Sequence, residues 1–85
     1  MYRVVFTRQA EKDLLSIEKA LAGRIADKIS HLSEHMERLI PEPLSGKFKG
    51  KYKLRAGDWR VVYETNHTEK TITIYAIEHR SKVYK

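Results

Sequence analysis

Residues 51–63 read KYKLRAGDWRVVY, and this stretch decides the fold. It predicts two β-strands joined by a tight turn, because strand-forming residues flank Gly57 and Asp58, which favour turns. In an antiparallel hairpin of this kind, Arg55 lies roughly opposite Arg60 on the next strand. Like charges placed directly opposite each other are destabilising, so this pair indicates a surface that meets an anion.

Two further strands are predicted outside this hairpin, from runs of β-branched and aromatic residues bounded by turn residues. The last of them places Ile72, Ile74 and Ala76 on one face, since strand side chains alternate. The four predicted strands are Tyr2–Phe6, Phe48–Arg55, Arg60–Thr65 and Thr71–Glu78.

Helices are predicted between the first two strands, where apolar residues recur every three or four positions. Thr7 is the expected N-cap, and Gly23 is expected to divide the region into helices at Arg8–Ala22 and Arg24–Leu39. Pro41 then ends the helical region. The apolar positions are Leu14, Ile17, Leu21, Ile25, Ile29, Leu32, Met36 and Leu39.

This order predicts an α+β fold. An N-terminal strand precedes a two-helix hairpin and a three-stranded antiparallel meander, and the helices pack on one face of a single sheet. The 85 residues form one domain, 1–85, because a chain of this length has too little apolar material for a second core. The chain has no cysteine and only a short apolar N-terminal run, so we expect a soluble, cytoplasmic protein without membrane contact.

The net charge of +6 is confined largely to the second half of the chain. Arg8 to Arg38 contains equal numbers of basic and acidic residues, whereas basic residues outnumber acidic ones two to one from Leu39 onward. This segregation favours a polyanionic partner over a surface charged only for solubility.

Five basic residues occupy every second position from Lys47 to Arg55, along and just before the predicted second strand, so they are expected to form a ridge on one face. An array of unpaired like charges is too costly to bury, so the ridge is open or contacts nucleic acid. The C-terminal residues from His79 to Tyr84 form a second polar cluster. The ridge consists of Lys47, Lys49, Lys51, Lys53 and Arg55.

Other residues favour structural roles. His31 and His35 are four positions apart but lack a third metal ligand, so we expect solvated histidines and no metal site. Trp59 is expected to plug the hairpin, and no cofactor-binding motif is present.

Residues 51–63, together with HRSKVY at 79–84, resemble the RelE family of type II toxins, and residues 6–14 resemble the opening of that family. The resemblance covers nearly the whole chain. It implies the RelE/ParE-like fold and a metal-independent endonuclease that cleaves mRNA in the ribosomal A site and thereby inhibits translation. By position it implies catalytic roles for Lys51, Lys53, Arg60, Arg80 and Tyr84, and RNA-binding roles for Lys47, Lys49, Arg55, His79 and Lys82.

The implied chemistry is attack of a ribose 2′-hydroxyl on the adjacent phosphate. A lysine among other cations is a candidate general base, because neighbouring positive charge favours the neutral amine. Arg60 and Arg80 are expected to stabilise the transition state, and Tyr84 to orient or stack the nucleotide. His79 is an alternative general acid.

Two other functions are retained. One is inhibition of DNA gyrase by protein contact, as in ParE-like toxins, for which the joint presence of Lys51, Lys53 and Arg60 is not needed. The other is an RNA-binding module without catalysis, which binds with a steep salt dependence. The resemblance also implies the ribosome as a partner and a neutralising, RelB-like antitoxin with an acidic, largely helical segment.

Overall fold

The computed structural model describes residues 1–83, with the side chains of residues 1–81. Within this part the sheet has five strands in the order β1-β5-β4-β3-β2, with β1 parallel to β5 and the other neighbours antiparallel. The strands are β1 Arg3–Phe6, β2 Glu42–Pro43, β3 Tyr52–Ala56, β4 Trp59–Asn66 and β5 Thr71–His79. The helices are α1 Arg8–Leu15, α2 Lys19–His35 and the short α3 Arg80–Val83.

Helices α1 and α2 pack with one face of this mixed sheet, as the sequence predicts. Their shared core contains residues from both layers, among them Ala10, Ile29, Val61 and Ile72. No helix within residues 1–83 is long and apolar enough to cross a membrane.

Helix α1 is tied to β5 by side-chain hydrogen bonds. The predicted N-cap Thr7 is confirmed, since its Oγ1 accepts from the Ala10 N–H at 3.1 Å. The same hydroxyl donates to the Tyr75 carbonyl at 2.8 Å, and Asp13 Oδ2 accepts from the Ile77 N–H at 2.9 Å. These bonds satisfy backbone groups of β5 beyond the point where its pairing with β1 ends.

The division of the helical region at Gly23 is wrong. The break falls at residues 16–18, where the Ser16 N–H bonds to the carbonyls of the α1 end, and Glu18 accepts from the Ala20 N–H at 3.3 Å. Gly23 lies inside α2, which ends at His35 rather than Leu39. Capping at the break and burial of the α2 apolar face outweigh the low helix propensity of one glycine.

A β-bulge in β5 shifts the alternation of its side chains between the two faces of the sheet by one residue. Between the pairs Val62–Ala76 and Tyr63–Ile74, β5 contains one extra residue, Tyr75. Ile74 therefore faces the helices, whereas Ala76 packs on the opposite, outer face with Val62. The prediction that Ala76 shares a face with Ile72 and Ile74 is wrong because the bulge breaks the alternation.

The strand predicted for Phe48–Arg55 is also wrong in its first half. Residues Gly46–Phe48 form a 3₁₀ turn, and Gly46 and Gly50 have φ values of 66° and 90°, which interrupt a strand. Phe48 is buried on the outer face against Val62 and Ala76. The loop is therefore held by packing instead of strand pairing.

The β3–β4 hairpin is confirmed. Arg55 pairs with Arg60, and Ala56 pairs with Trp59. Gly57 has a φ of 61°, a left-handed conformation that the tight turn requires and glycine adopts without strain. Trp59 packs against the main core, as expected for a hairpin plug.

We predict that Gly23→Ala stabilises the protein by up to about 1 kcal/mol, because alanine has the higher helix propensity and a Cβ at this position meets no atom within 4 Å. Urea unfolding measures the change. A destabilised Gly23→Ala variant would contradict a continuous α2, and Gly57→Ala, at a left-handed position, is the matched control that should lose stability.

We also predict that Tyr63 makes folding stability fall at alkaline pH. Burial, then the nearby Tyr52 and Glu42, raises the pKa of Tyr63 from 10.0 to about 12. The folded state thus holds the phenol proton more tightly than the unfolded chain. The associated stability is complete below pH 10, is lost as pH rises to about 12, and is on the order of 3 kcal/mol at about 1.4 kcal/mol per pKa unit.

The measurement is urea unfolding of the wild type and Tyr63→Phe between pH 8 and about 12. The difference between the two free energies of unfolding should shrink or change sign in favour of Tyr63→Phe above pH 10. A constant difference over this range would contradict the raised pKa.

Candidate functional site

A basic pocket of about 350 Å³ lies at the turn end of the β3–β4 hairpin. The hairpin supplies most of its walls, and α3 supplies the rest from its first residue. Four of the lining side chains are cationic, which concentrates positive charge around one cavity. The pocket is lined by Lys53, Arg55, Gly57, Asp58, Trp59, Arg60 and Arg80.

Arg60 is the most constrained of these cations. Its Nε and Nη2 donate to Glu78 Oε1 at 3.3 and 3.1 Å, across the paired strands β4 and β5. Its Cζ lies 5.3 Å from the centroid of the Phe48 ring. The Arg60 and Glu78 side chains are only 21% and 23% exposed, so this ion pair is shielded from water and fixes the guanidinium.

The other pocket cations are held less firmly. Lys53 Nζ lies 3.6 Å from Glu42 Oε2, and Arg80 Nη1 lies 3.5 Å from Asp58 Oδ1. The Arg80 and Asp58 side chains are each about two-thirds exposed, at 66% and 65%. Exposed pairs of this kind contribute little, so an anionic ligand can replace the carboxylate at small cost.

The three loop lysines of the predicted ridge do not line the pocket. Lys51 Nζ lies 4.5 Å from the centroid of the Tyr75 ring, and Lys47 Nζ lies 5.0 Å from that of Phe48. Lys49 is exposed. The strand predicted to carry these three lysines is wrong, because the loop that carries them is shaped by the 3₁₀ turn and by the burial of Phe48, whereas Lys53 and Arg55 lie in β3.

The C-terminal cluster is partly described. His79 Nδ1 accepts from the Ser81 N–H at 3.2 Å, so the proton of the neutral ring lies on Nε2. The ring meets that of Trp59 edge-on, with 5.0 Å between centroids. Lys82 lies in α3, whereas the Lys82 side chain and Tyr84 lie outside the described residues.

The acidic partners of the cations and the aromatic side chains of the outer face were not anticipated from the sequence. The register of the β4–β5 hairpin is the signal for Glu78, because it places this residue beside Arg60. The position of Phe48 carries no local signal. His31 and His35 stack with 4.2 Å between centroids, and no group of three metal-ligating side chains occurs among the described residues.

The fold is that of the RelE-like toxins. Residues 4–84 match the family described as "ParE toxin of type II toxin-antitoxin system, parDE". The chain therefore belongs to this family, and it is a type II toxin of the RelE/ParE superfamily.

Individual relatives agree with this membership. Toxin RelG of Mycobacterium tuberculosis is 28% identical over 85 residues, which cover 99% of this chain and 97% of RelG. The toxin-antitoxin complex RelBE2 of M. tuberculosis contains a chain of similar structure, with a TM-score of 0.80, 26% identity, and 93% and 98% coverage of the two chains. The archaeal RelE–RelB complex of Pyrococcus horikoshii gives a TM-score of 0.71, 28% identity, and 95% and 97% coverage.

We predict that the Arg60–Glu78 pair stabilises the fold more than the Arg80–Asp58 pair. A double-mutant cycle with Arg60→Met and Glu78→Gln should give a coupling free energy of about 1–2 kcal/mol, because the charge-assisted bonds are shielded from water. The matched cycle with Arg80→Met and Asp58→Asn should give less than about 0.5 kcal/mol. Equal couplings in the two urea-unfolding cycles would contradict the assignment of Arg60 as the firmly held cation.

Proposed function

We propose that this toxin is a ribosome-dependent endonuclease that cleaves mRNA in the A site without a metal ion. The observation that carries the proposal is the pocket, which brings Lys53, Arg55, Arg60 and Arg80 around one cavity. Phosphate is the anion that paired guanidinium groups bind best, because their planar N–H groups match its oxygens. The similarity to toxin RelG and to RelE structures supports the RelE-like activity over the alternatives.

The reaction that fits these residues is an intramolecular transesterification. The 2′-hydroxyl of the ribose attacks the adjacent phosphorus, so a P–O2′ bond forms and the P–O5′ bond breaks. The products are a 2′,3′-cyclic phosphate and a 5′-hydroxyl. The 2′-oxygen loses its proton and the leaving 5′-oxygen gains one, while negative charge develops on the phosphoryl oxygens.

The cations of the pocket would stabilise that charge. Arg60 is preorganised by Glu78 and the Phe48 ring, so its orientation needs no rearrangement when the substrate binds. Arg80 and Lys53 would leave their exposed carboxylates for the phosphate. Arg55 would bind the RNA backbone from the strand opposite Arg60.

Proton transfer is proposed for the lysines and for the C-terminal cluster. Lys53 or Lys51 would accept the 2′-hydroxyl proton, although only Lys53 lines the pocket. His79 contacts Trp59, which lines the pocket, so its Nε2 is a candidate donor to the leaving oxygen. Tyr84 remains a candidate for orienting or stacking the nucleotide, as Lys82 does for backbone contact. Lys47 and Lys49 would contact flanking phosphates.

A neutralising antitoxin is part of the proposal. The RelBE2 and P. horikoshii structures are toxin–antitoxin complexes, and a RelB-like partner with an acidic helical segment would fit the basic outer face. Covering the pocket would shield its cations from RNA. A toxin that acts on translating ribosomes would work in the cytoplasm.

The family match to ParE toxins supports a second candidate, inhibition of DNA gyrase by protein contact. This activity needs a binding surface but no transfer of protons. It therefore predicts that single substitutions in the pocket leave toxicity largely unchanged, whereas the endonuclease proposal predicts large losses.

We expect purified toxin to cleave mRNA on programmed ribosomes, as measured by primer extension. The toxin is dialysed against EDTA beforehand, and a 2′-deoxy nucleotide in the A site serves as the substrate control. Cleavage should require the ribosome and the 2′-hydroxyl. Intact mRNA at high concentrations of folded toxin would refute the endonuclease, and inhibition in a gyrase supercoiling assay would then support the second candidate.

Substitutions in the pocket should lower the single-turnover rate on ribosomes. Arg60→Met and Arg80→Met should each reduce it about 100-fold or more, because each removes a cation that stabilises the developing charge. Lys19→Gln makes the same change of charge at an exposed position on α2 and should stay within about twofold of the wild type. Equal rates for the pocket variants and Lys19→Gln would refute the proposed roles.

A further inference from the structure

Tyr75 is an exposed aromatic residue on the outer face of the sheet. It is 40% exposed, although both of its neighbours along β5 are buried. The residue is the extra one of the β-bulge, and its ring meets the Phe48 ring edge-on at 6.1 Å. Bulges reorient side chains near functional sites, and nothing in the core packing requires a ring at this position.

The Tyr75 ring is continuous with the basic pocket. Phe48 contacts both Tyr75 and the guanidinium of Arg60, and Arg60 lines the pocket. A single side chain therefore separates the exposed ring from the proposed phosphate site. A polynucleotide with one phosphate in the pocket could therefore extend over Phe48 and bring a neighbouring base to Tyr75.

The face of the Tyr75 ring is covered by a displaceable group. Lys51 Nζ lies 4.5 Å from the ring centroid, and Lys51 belongs to the loop held by Phe48. An ammonium–aromatic contact at an exposed site is weaker than the stacking of a nucleobase on an aromatic ring. When a nucleotide binds, its base can stack on the Tyr75 ring while the Lys51 ammonium moves to its phosphate. Both contacts are then stronger than the ammonium–aromatic contact that they replace.

We propose that Tyr75 stacks on an unpaired base of single-stranded RNA. This base belongs to the nucleotide next to the one bound in the pocket, and Lys51 binds the phosphate of the stacked nucleotide. The inference rests on the proposed RNA substrate and adds a second nucleotide site to it. A single strand is required because a base within a duplex does not offer its face. The lysines of the loop supply the positive charge that such a strand needs.

The test is direct binding without the ribosome. The probe is a fluorescein-labelled single-stranded oligoribonucleotide with 2′-O-methyl groups, which lacks the attacking hydroxyl. Fluorescence anisotropy at several salt concentrations gives Kd for the wild type, Tyr75→Ala, Tyr75→Phe and Lys51→Met. Thermal melting of each variant establishes that it is folded.

We expect Tyr75→Ala to raise Kd about tenfold at every salt concentration, because it removes one stacking contact. Tyr75→Phe keeps the ring and should stay within about twofold. Lys51→Met should reduce the salt dependence, lowering the slope of log Kd against log salt by about 0.7 for the lost phosphate contact. An oligonucleotide with an abasic site at the stacked position should bind the wild type and Tyr75→Ala equally.

The proposal is overturned if the folded Tyr75→Ala variant binds like the wild type, or if Tyr75→Phe loses as much affinity as Tyr75→Ala. Failure of the wild type to bind the oligonucleotide at low salt also overturns it, and would assign the exposed ring to a protein partner. The binding assay is independent of the cleavage assay. If the wild type does not cleave mRNA but Tyr75→Ala still weakens binding of the oligonucleotide, only the endonuclease proposal is refuted.

Discussion

The outer face of this toxin depends on one irregularity, the extra residue Tyr75 in β5. Strict alternation would place Glu78 on the same side as Ile72 and Ile74, where its carboxylate would enter the apolar core. The bulge reverses the two faces, so that Ile77 continues the core and Glu78 reaches Arg60. The second half of β5 can therefore contribute both to the core, through Ile77, and to the basic site, through Glu78.

A small apolar patch on the outer face organises the loop that precedes β3. Val62 and Ala76 are buried there against Phe48, and Leu44 packs beside them. The packing of this one ring brings Lys47 and Lys51 to the face of the sheet and places an aromatic surface beside Arg60. Hydrophobic burial, a non-directional force, is therefore what positions the charged groups.

In the free protein the pocket cations are paired with carboxylates, and these ion pairs differ in how well they are shielded from water. One carboxylate oxygen of Glu78 accepts from two nitrogens of Arg60 in a contact shielded from water, whereas Asp58 and Glu42 meet Arg80 and Lys53 near the surface. A phosphate ligand can replace the exposed carboxylates and leave the shielded one in place. In the proposed endonuclease, Arg60 is therefore already oriented before the substrate binds, whereas Arg80 and Lys53 change partner when it binds.

The sequence by itself determined what local interactions govern. The β3–β4 turn at Gly57, the pairing of Arg55 with Arg60 and the N-cap at Thr7 each depend on residues that are close along the chain. The segregation of charge and the order of the longer elements were also predicted, because periodicity and composition need no knowledge of distant contacts, whereas the short β2 and α3 were not predicted.

Only the tertiary structure decided the rest of the site. The alternating lysines resemble a strand, but burial of Phe48 against residues from β4 and β5 makes that segment a loop. The helix break does not fall at Gly23, because the packed face of α2 keeps the helix continuous across that glycine. The bulge at Tyr75 and the pairing of Arg60 with Glu78 likewise arise from contacts between separate strands, whose energies no local pattern records.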